Sequence, residues 1–114
     1  MNLDGVPRFG DRRRLRVGLL GGSFNPAHQG HLHVAKLALR RLRLDAVWLL
    51  VSPGNPLKPL DGMAPFAERL KGAARIAGDR RIVPTGIEAA FNTRFTVDTV
   101  RQLRRRFPCI RFVW

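Results

Sequence analysis

Apolar residues follow two different periods along this chain. Val17-Gly18-Leu19-Leu20 and Ala46-Val47-Trp48-Leu49-Leu50-Val51 are short unbroken apolar runs, the pattern of strands covered on both faces. They predict strands over 16–20 and 46–51, with Trp48 in the core. Between them Leu32, Ala35, Leu39 and Leu42 recur at helical spacing, with Lys36, Arg40, Arg41 and Arg43 largely elsewhere, which predicts a helix over 31–42. Pro65 suits a first helical turn, and Phe66, Leu70, Ala73 and Ala74 supply an inner face for a helix to Ala77. A short strand over 81–83 is ended by Pro84. Thr96 is placed to cap a third helix, with Val97, Val100, Leu103 and Phe107 as its apolar stripe and Pro108 as its stop. A last strand begins at Ile110.

Strand and helix alternate through these elements. Such alternation predicts an α/β fold, a Rossmann-like parallel sheet with helices on both faces. A chain of 114 residues holds one domain, here 16–114, preceded by a basic flexible arm over 1–15. Ligands on such sheets bind outside the carboxyl ends of the strands, near the point where strand order reverses. Two segments leave strand ends of that kind, 21–31 and 52–65. The second contains Pro53, Gly54, Pro56, Pro59, Gly62 and Pro65, so it is a loop, and a long one for a compact domain. The chain stops at Trp114 inside an apolar strand and is expected to be a C-terminally truncated piece of a larger domain.

Composition narrows the partners. Apolar content of 45% and charged content of 25% fit a globular domain. No apolar run approaches the roughly 18 residues that span a membrane, and 1–14 carries no hydrophobic leader, so a cytoplasmic protein without a membrane partner is expected. The single cysteine, Cys109, excludes an internal disulfide and reads as a small apolar residue entering a strand. A net charge of +13, carried by 18 Arg and 3 Lys, calls for an anionic partner. Aromatic residues interleaved with the arginines for base stacking are not evident, so an Arg-rich surface on a nucleotide-handling protein is preferred to nucleic-acid binding. Homo-oligomerisation stays open.

The chemistry concentrates at Gly21-Gly22-Ser23-Phe24-Asn25-Pro26-Ala27-His28-Gln29-Gly30-His31. A glycine-rich turn between a strand and a helix lets backbone approach a phosphate closely, with helix-terminal N–H groups pointing at it. Ser23 offers a hydroxyl, and Phe24 an apolar wedge under the turn. His28 and His31, three residues apart, fall on one side of the helix entry and can donate to phosphate oxygens. His33 lies outside that frame and reads as a surface residue. The segment has neither the GxGxxG spacing of dinucleotide-binding folds nor the GxxxxGK[ST] of P-loops.

It does resemble the GGxFxPxHxGH signature of the nucleotidyltransferases with a Rossmann-like fold. Three further segments are similar to the nicotinate-nucleotide adenylyltransferase branch of that superfamily. They are Trp48-Leu49-Leu50-Val51-Ser52-Pro53-Gly54-Asn55-Pro56-Leu57-Lys58, Phe66-Ala67-Glu68-Arg69-Leu70, and Thr93-Arg94-Phe95-Thr96-Val97-Asp98-Thr99-Val100. The resemblance implies transfer of AMP from ATP to nicotinate mononucleotide, giving deamido-NAD and pyrophosphate in NAD biosynthesis. It implies His28 and His31 as catalytic residues, and Gly21, Gly22, Ser23, Phe24, Asn25, His28 and His31 as ATP-binding. Lys58, Thr96, Asp98 and Thr99 are implied for the second substrate. Mg2+ is expected with ATP, and no metal ligand is assigned to the chain. Asn25 stands where many relatives have Asp, and Phe95 where Tyr is common. The later family segments, a Gly-Ala-Asp-like turn and an Arg-bearing Ser/Thr-rich stretch, have no counterpart here. The alternatives are another HxGH nucleotidyltransferase (a phosphopantetheine adenylyltransferase or a cytidylyltransferase) and an inactive nucleotide-binding fragment. Thr is typical of the phosphopantetheine enzymes where His28 stands.

Overall fold

The computed structural model describes residues 6–7, 12–53, 63–91 and 96–113. Strands β1 (Arg16–Gly22), β2 (Ala46–Val51), β3 (Ile82–Thr85) and β4 (Arg111–Val113) form one sheet in the order β3-β2-β1-β4. Every neighbouring pair is parallel. Helices α1 (Gln29–Arg41), α2 (Phe66–Ala77), α3 (Ile87–Phe91) and α4 (Thr96–Arg106) connect them.

The unbroken apolar run of β2 is explained by burial on both faces. Successive side chains of a strand point to opposite sides. Val47, Leu49 and Val51 join Ala35 and Leu39 of α1 and Ala73 and Ala77 of α2 in one core. Trp48 and Leu50 join Ile87 of α3, Leu103 of α4 and Phe107 in the other. Trp48 is 1% exposed and packs edge-on to Phe107 and Phe112, both at 5.5 Å between ring centres. The expected α/β sheet with helices on both faces is therefore present.

Details differ from the predicted pattern for identifiable reasons. α1 starts at Gln29 rather than 31, because His28 caps it. Leu42 lies past the last turn and is 44% exposed. On α2 the buried stripe is Arg69, Ala73 and Ala77, four residues apart, which leaves Ala74 exposed. On α4 the buried side chains are Thr99 and Leu103, followed by Phe107, so Val97 faces solvent at 62%. β3 continues through Pro84 to Thr85. It is an edge strand, where a missing N–H costs no second ladder. α3 was not predicted. The Thr85 hydroxyl accepts the Ile87 N–H at 3.2 Å and starts it, a short local cap that periodicity does not register.

Two arrangements bear on the charge and on pH. The last turns of α1, α2 and α4 carry Arg40 and Arg41, Arg75, and Arg104 to Arg106. In a parallel sheet these turns lie at the amino ends of the strands, where cations complement the helix dipoles. Much of the basic charge is thus held away from the strand ends where ligands bind. Glu88 of α3 lies against Thr99 of α4, whose hydroxyl donates to Glu88 Oε2 at 3.3 Å. Burial pushes the Glu88 carboxyl up from its ordinary 4.5, and the Thr99 hydrogen bond only partly opposes it. A carboxyl raised on folding contributes stability that is present below its unfolded pKa and lost as pH rises through the folded value. The Glu88 contribution is read as the difference in urea midpoint between wild type and Glu88→Gln, which is expected to turn against the wild type as pH rises above 4.5 toward neutral.

Candidate functional site

β1 extends two residues past its predicted end, to Gly22, and meets the point where strand order turns back. From β1 the sheet grows through β2 and β3 on one side, and β4 lies on the other. The crevice above the carboxyl end of β1 is the expected ligand position for such an order. A Cβ built at Gly21 meets no protein atom within 4 Å, so its absence leaves open space at the strand end.

The chain then turns sharply over an apolar support. Phe24 adopts φ +51°, a left-handed conformation uncommon for a bulky residue. Its ring is 1% exposed and lies in the core shared with α1 and α2. The backbone cost of about 1–3 kcal/mol is offset by a burial gain of similar size. Phe24 is the wedge expected at this position, and its side chain supports the turn from beneath. The His31 ring rests 4.6 Å from it, centre to centre.

His28 and His31 form a reciprocal cap on α1. His28 Nδ1 accepts the Gly30 N–H at 3.0 Å, and His31 Nδ1 accepts the His28 N–H at 3.1 Å. The two rings are 3.9 Å apart at their centres and tilted by 32°. This is a capping box in which imidazoles replace the usual hydroxyl and carboxylate. The hydrogen-bond pattern assigns the tautomer: an accepting Nδ1 carries no proton, so Nε2 carries it on both rings. Each neutral histidine therefore presents one N–H donor outward from the helix N-terminus. The first turn contains no acidic residue, so nothing there opposes an anion. Gly30 is required by the same geometry. A Cβ there would lie 2.8 Å from His28 Cε1 and 2.9 Å from Nδ1.

Partial burial, and secondarily His28, lower the His31 pKa from 6.5. Protonation at Nδ1 would also break the cap. The stability His31 contributes is present above 6.5 and lost as pH falls through its lowered value. The stabilising difference in urea midpoint between wild type and His31→Gln is expected to shrink as pH falls below 6.5, opposite in sign to the Glu88 contribution.

Arg69 escaped the sequence pattern. It is 4% exposed, and its guanidinium binds carbonyl oxygens from two connections, those after β1 and after β2. Nη1 donates to Ser23 O at 2.8 Å and to Ser52 O at 2.7 Å, Nε to Ala64 O at 2.9 Å, and Nη2 to Pro53 O at 3.4 Å. Phe66 lies beneath it, with 5.6 Å from Cζ to the ring centre. Burial lowers its pKa from the ordinary guanidinium range. Ser23 and Asn25 are both exposed. Asn25 Oδ1 accepts the Ala64 N–H at 3.0 Å, which ties the end of the 52–65 connection to the turn. A cavity of about 630 Å3 lies behind this turn, between Asn25 to Ala27 and Glu68, Gly72 and Arg75 of α2. Neither His28 nor His31 lines it.

The remaining predicted residues divide. His33 is exposed on α1, as expected. Lys58 lies outside the described residues, as does the side chain of Thr96. Asp98 is half-buried in the first turn of α4. Thr99, which the resemblance implies for the second substrate, is fully buried, and its hydroxyl donates to Glu88 and holds α4 against α3. Among the described residues no three His, Cys, Asp or Glu side chains converge on one point, and no helix is long and apolar enough to cross a membrane.

The family model for cytidylyltransferase-like proteins matches residues 19–105. A protein of Gluconobacter oxydans (strain 621H), named "Probable nicotinate-nucleotide adenylyltransferase", is 67% identical over 100 residues, which are 88% of this chain and 51% of that one. A protein of the same name from Gluconacetobacter diazotrophicus is 56% identical over 112 residues, 98% of this chain and 52% of that one. The solved structure of Plasmodium falciparum nicotinic acid mononucleotide adenylyltransferase complexed with NaAD superposes with a TM-score of 0.71 at 17% identity. That superposition covers 86% of this chain and 49% of the other and is a likeness of fold. The chain spans about half the length of the curated relatives it matches.

Proposed function

The chain belongs to the cytidylyltransferase-like family, and we propose that within it the chain carries the triphosphate-holding part of a nicotinate-nucleotide adenylyltransferase. One observation carries this reading: two neutral histidines, locked by a mutual cap, aim Nε2–H donors from an unopposed helix N-terminus beside the side-chain-free end of β1. The choice of nicotinate mononucleotide as acceptor rests on the names of the 56–67% identical relatives.

In the proposed reaction an oxygen of the nicotinate mononucleotide 5′-phosphate attacks the α-phosphorus of ATP. A new phosphoanhydride bond forms, the bond from α-phosphorus to the bridging oxygen breaks, and pyrophosphate leaves with the electron pair. No covalent enzyme intermediate is needed, so the protein's task is positioning and charge stabilisation. Gly21 and Gly22 let the triphosphate approach the backbone. The His28 and His31 Nε2–H groups donate to oxygens that gain charge as pyrophosphate departs. Phe24 holds His31 from below, and Lys58 is assigned to the acceptor phosphate. Mg2+ at triphosphate sites is held chiefly by phosphate oxygens, which suits a cradle that supplies N–H donors.

Incubating the chain with ATP, Mg2+ and nicotinate mononucleotide tests the reading by detection of deamido-NAD. Formation of the dinucleotide, with phosphopantetheine and cytidine substrates inert, supports it. Saturable ATP binding without turnover favours the second reading, a nucleotide-holding portion, for which the half-length match to relatives speaks. Absence of ATP binding contradicts both.

A further inference from the structure

Arg69 is a buried cation that the proposed phosphate chemistry does not itself use. Among the described residues its guanidinium meets carbonyl oxygens and no carboxylate. A single nitrogen, Nη1, is shared between Ser23 O and Ser52 O. Those carbonyls belong to different connections: Ser23 follows β1 and lies in the cradle, and Ser52 follows β2 and opens the segment bearing Lys58. Nε meets Ala64 O, where that segment returns to α2. Two further hydrogen bonds, each donated by a backbone N–H, cross the same seam. Ser52 N–H donates to Gly22 O at 2.9 Å, and Ala64 N–H donates to Asn25 Oδ1 at 3.0 Å.

A guanidinium keeps its proton and holds its donors in one rigid plane. Carbonyls bonded to that plane cannot move independently of each other. Burying such a charge without a counter-ion is unfavourable, and a partner anion nearby relieves it. The carboxyl ends of β1 and β2, where Arg69 reaches, are also where an anionic ligand is proposed.

We propose that Arg69 is a positioning residue that couples the cradle to Ser52 and Ala64, the described ends of the connection after β2, so that a phosphate anion bound in the cradle protects both amides. The coupling of loops stands on the hydrogen bonds alone; the role of the anion rests on the function proposed above.

Amide hydrogen exchange on this chain, as wild type, Arg69→Lys and Arg69→Met, with and without pyrophosphate, tests it. Without ligand, Arg69→Met is expected to speed exchange at the Ser52 and Ala64 amides about tenfold, while amides of the β2–β3 ladder change less than about twofold. Arg69→Lys retains the charge without the fork and is expected to fall between, which keeps the test decisive if the Met variant does not fold. Pyrophosphate is expected to slow both amides in the wild type and neither in Arg69→Met. Loosening spread evenly over β2 and β3 would show a merely structural arginine and overturn the proposal. So would a change at only one of the two amides, or ligand protection of both that persists in Arg69→Met. Failure of pyrophosphate to bind the wild type would count against the proposed function, while the ligand-free exchange would still decide the role of Arg69.

Discussion

Removing both cradle histidines, by His28→Ala with His31→Ala, is expected to weaken ATP binding at least a hundredfold while lowering folding stability only modestly. Hydrogen bonds to charged groups are worth about 1.5–3 kcal/mol each, and two outward Nε2–H donors are lost together. The stability cost is that of an N-cap, about 1 kcal/mol. Calorimetric titration with ATP gives the first quantity and urea unfolding the second. The single variants are expected to be non-additive. Each ring accepts a backbone N–H in the cap, so losing one disorders the segment that carries the other. Equal loss of binding and stability would mean that the pair serves the fold alone.

Gly30→Ala separates these roles more sharply. Its methyl group would lie 2.8 Å from His28 Cε1, so the imidazole must swing away and give up its bond to the Gly30 N–H. Alanine gains about 1 kcal/mol over glycine inside a helix, which offsets a cap loss of similar size. The melting temperature is therefore expected to stay near that of the wild type. One charge-assisted hydrogen bond, worth about 1.5–3 kcal/mol or roughly a ten- to hundredfold factor in binding, is then lost. ATP affinity should fall by roughly that factor, and the ring of His28 should lose its fixed tautomer in nitrogen-15 spectra. A variant with unchanged affinity would show that the cap geometry does not set the donors. On this account the HxGH spacing has a structural reason: the first histidine is the N-cap, the glycine makes room for its ring, and the second histidine closes the box.

Much of this arrangement was legible in the sequence, and the failures have physical causes. β2 was readable because burial on both faces leaves an unbroken apolar run, and its predicted span agrees with the strand. The cradle was readable because glycines and histidines gather between a strand and a helix. The cap was not, since histidine is not a usual N-cap residue and the helix start was placed at His31 instead of Gln29. Arg69 was invisible because a charged residue in an apolar stripe reads as surface; its burial depends on carbonyls at Ser23, Ser52 and Ala64 that come together only in three dimensions. The packing of Thr99 was hidden for the converse reason. A first-turn threonine looks available to a ligand, but α3, a five-residue helix without a period of its own, covers it.

The most direct measurement is a titration of this chain with ATP and Mg2+ followed through the nitrogen-15 signals of the histidine side chains. In the free chain the reciprocal cap is expected to hold His28 and His31 as Nε2–H tautomers with accepting Nδ1 atoms. ATP is expected to shift both Nε2–H signals along one saturable curve, while exposed His33 stays unmoved. Nδ1–H tautomers in the free chain, or ATP binding that leaves the two Nε2–H signals in place, would contradict this reading.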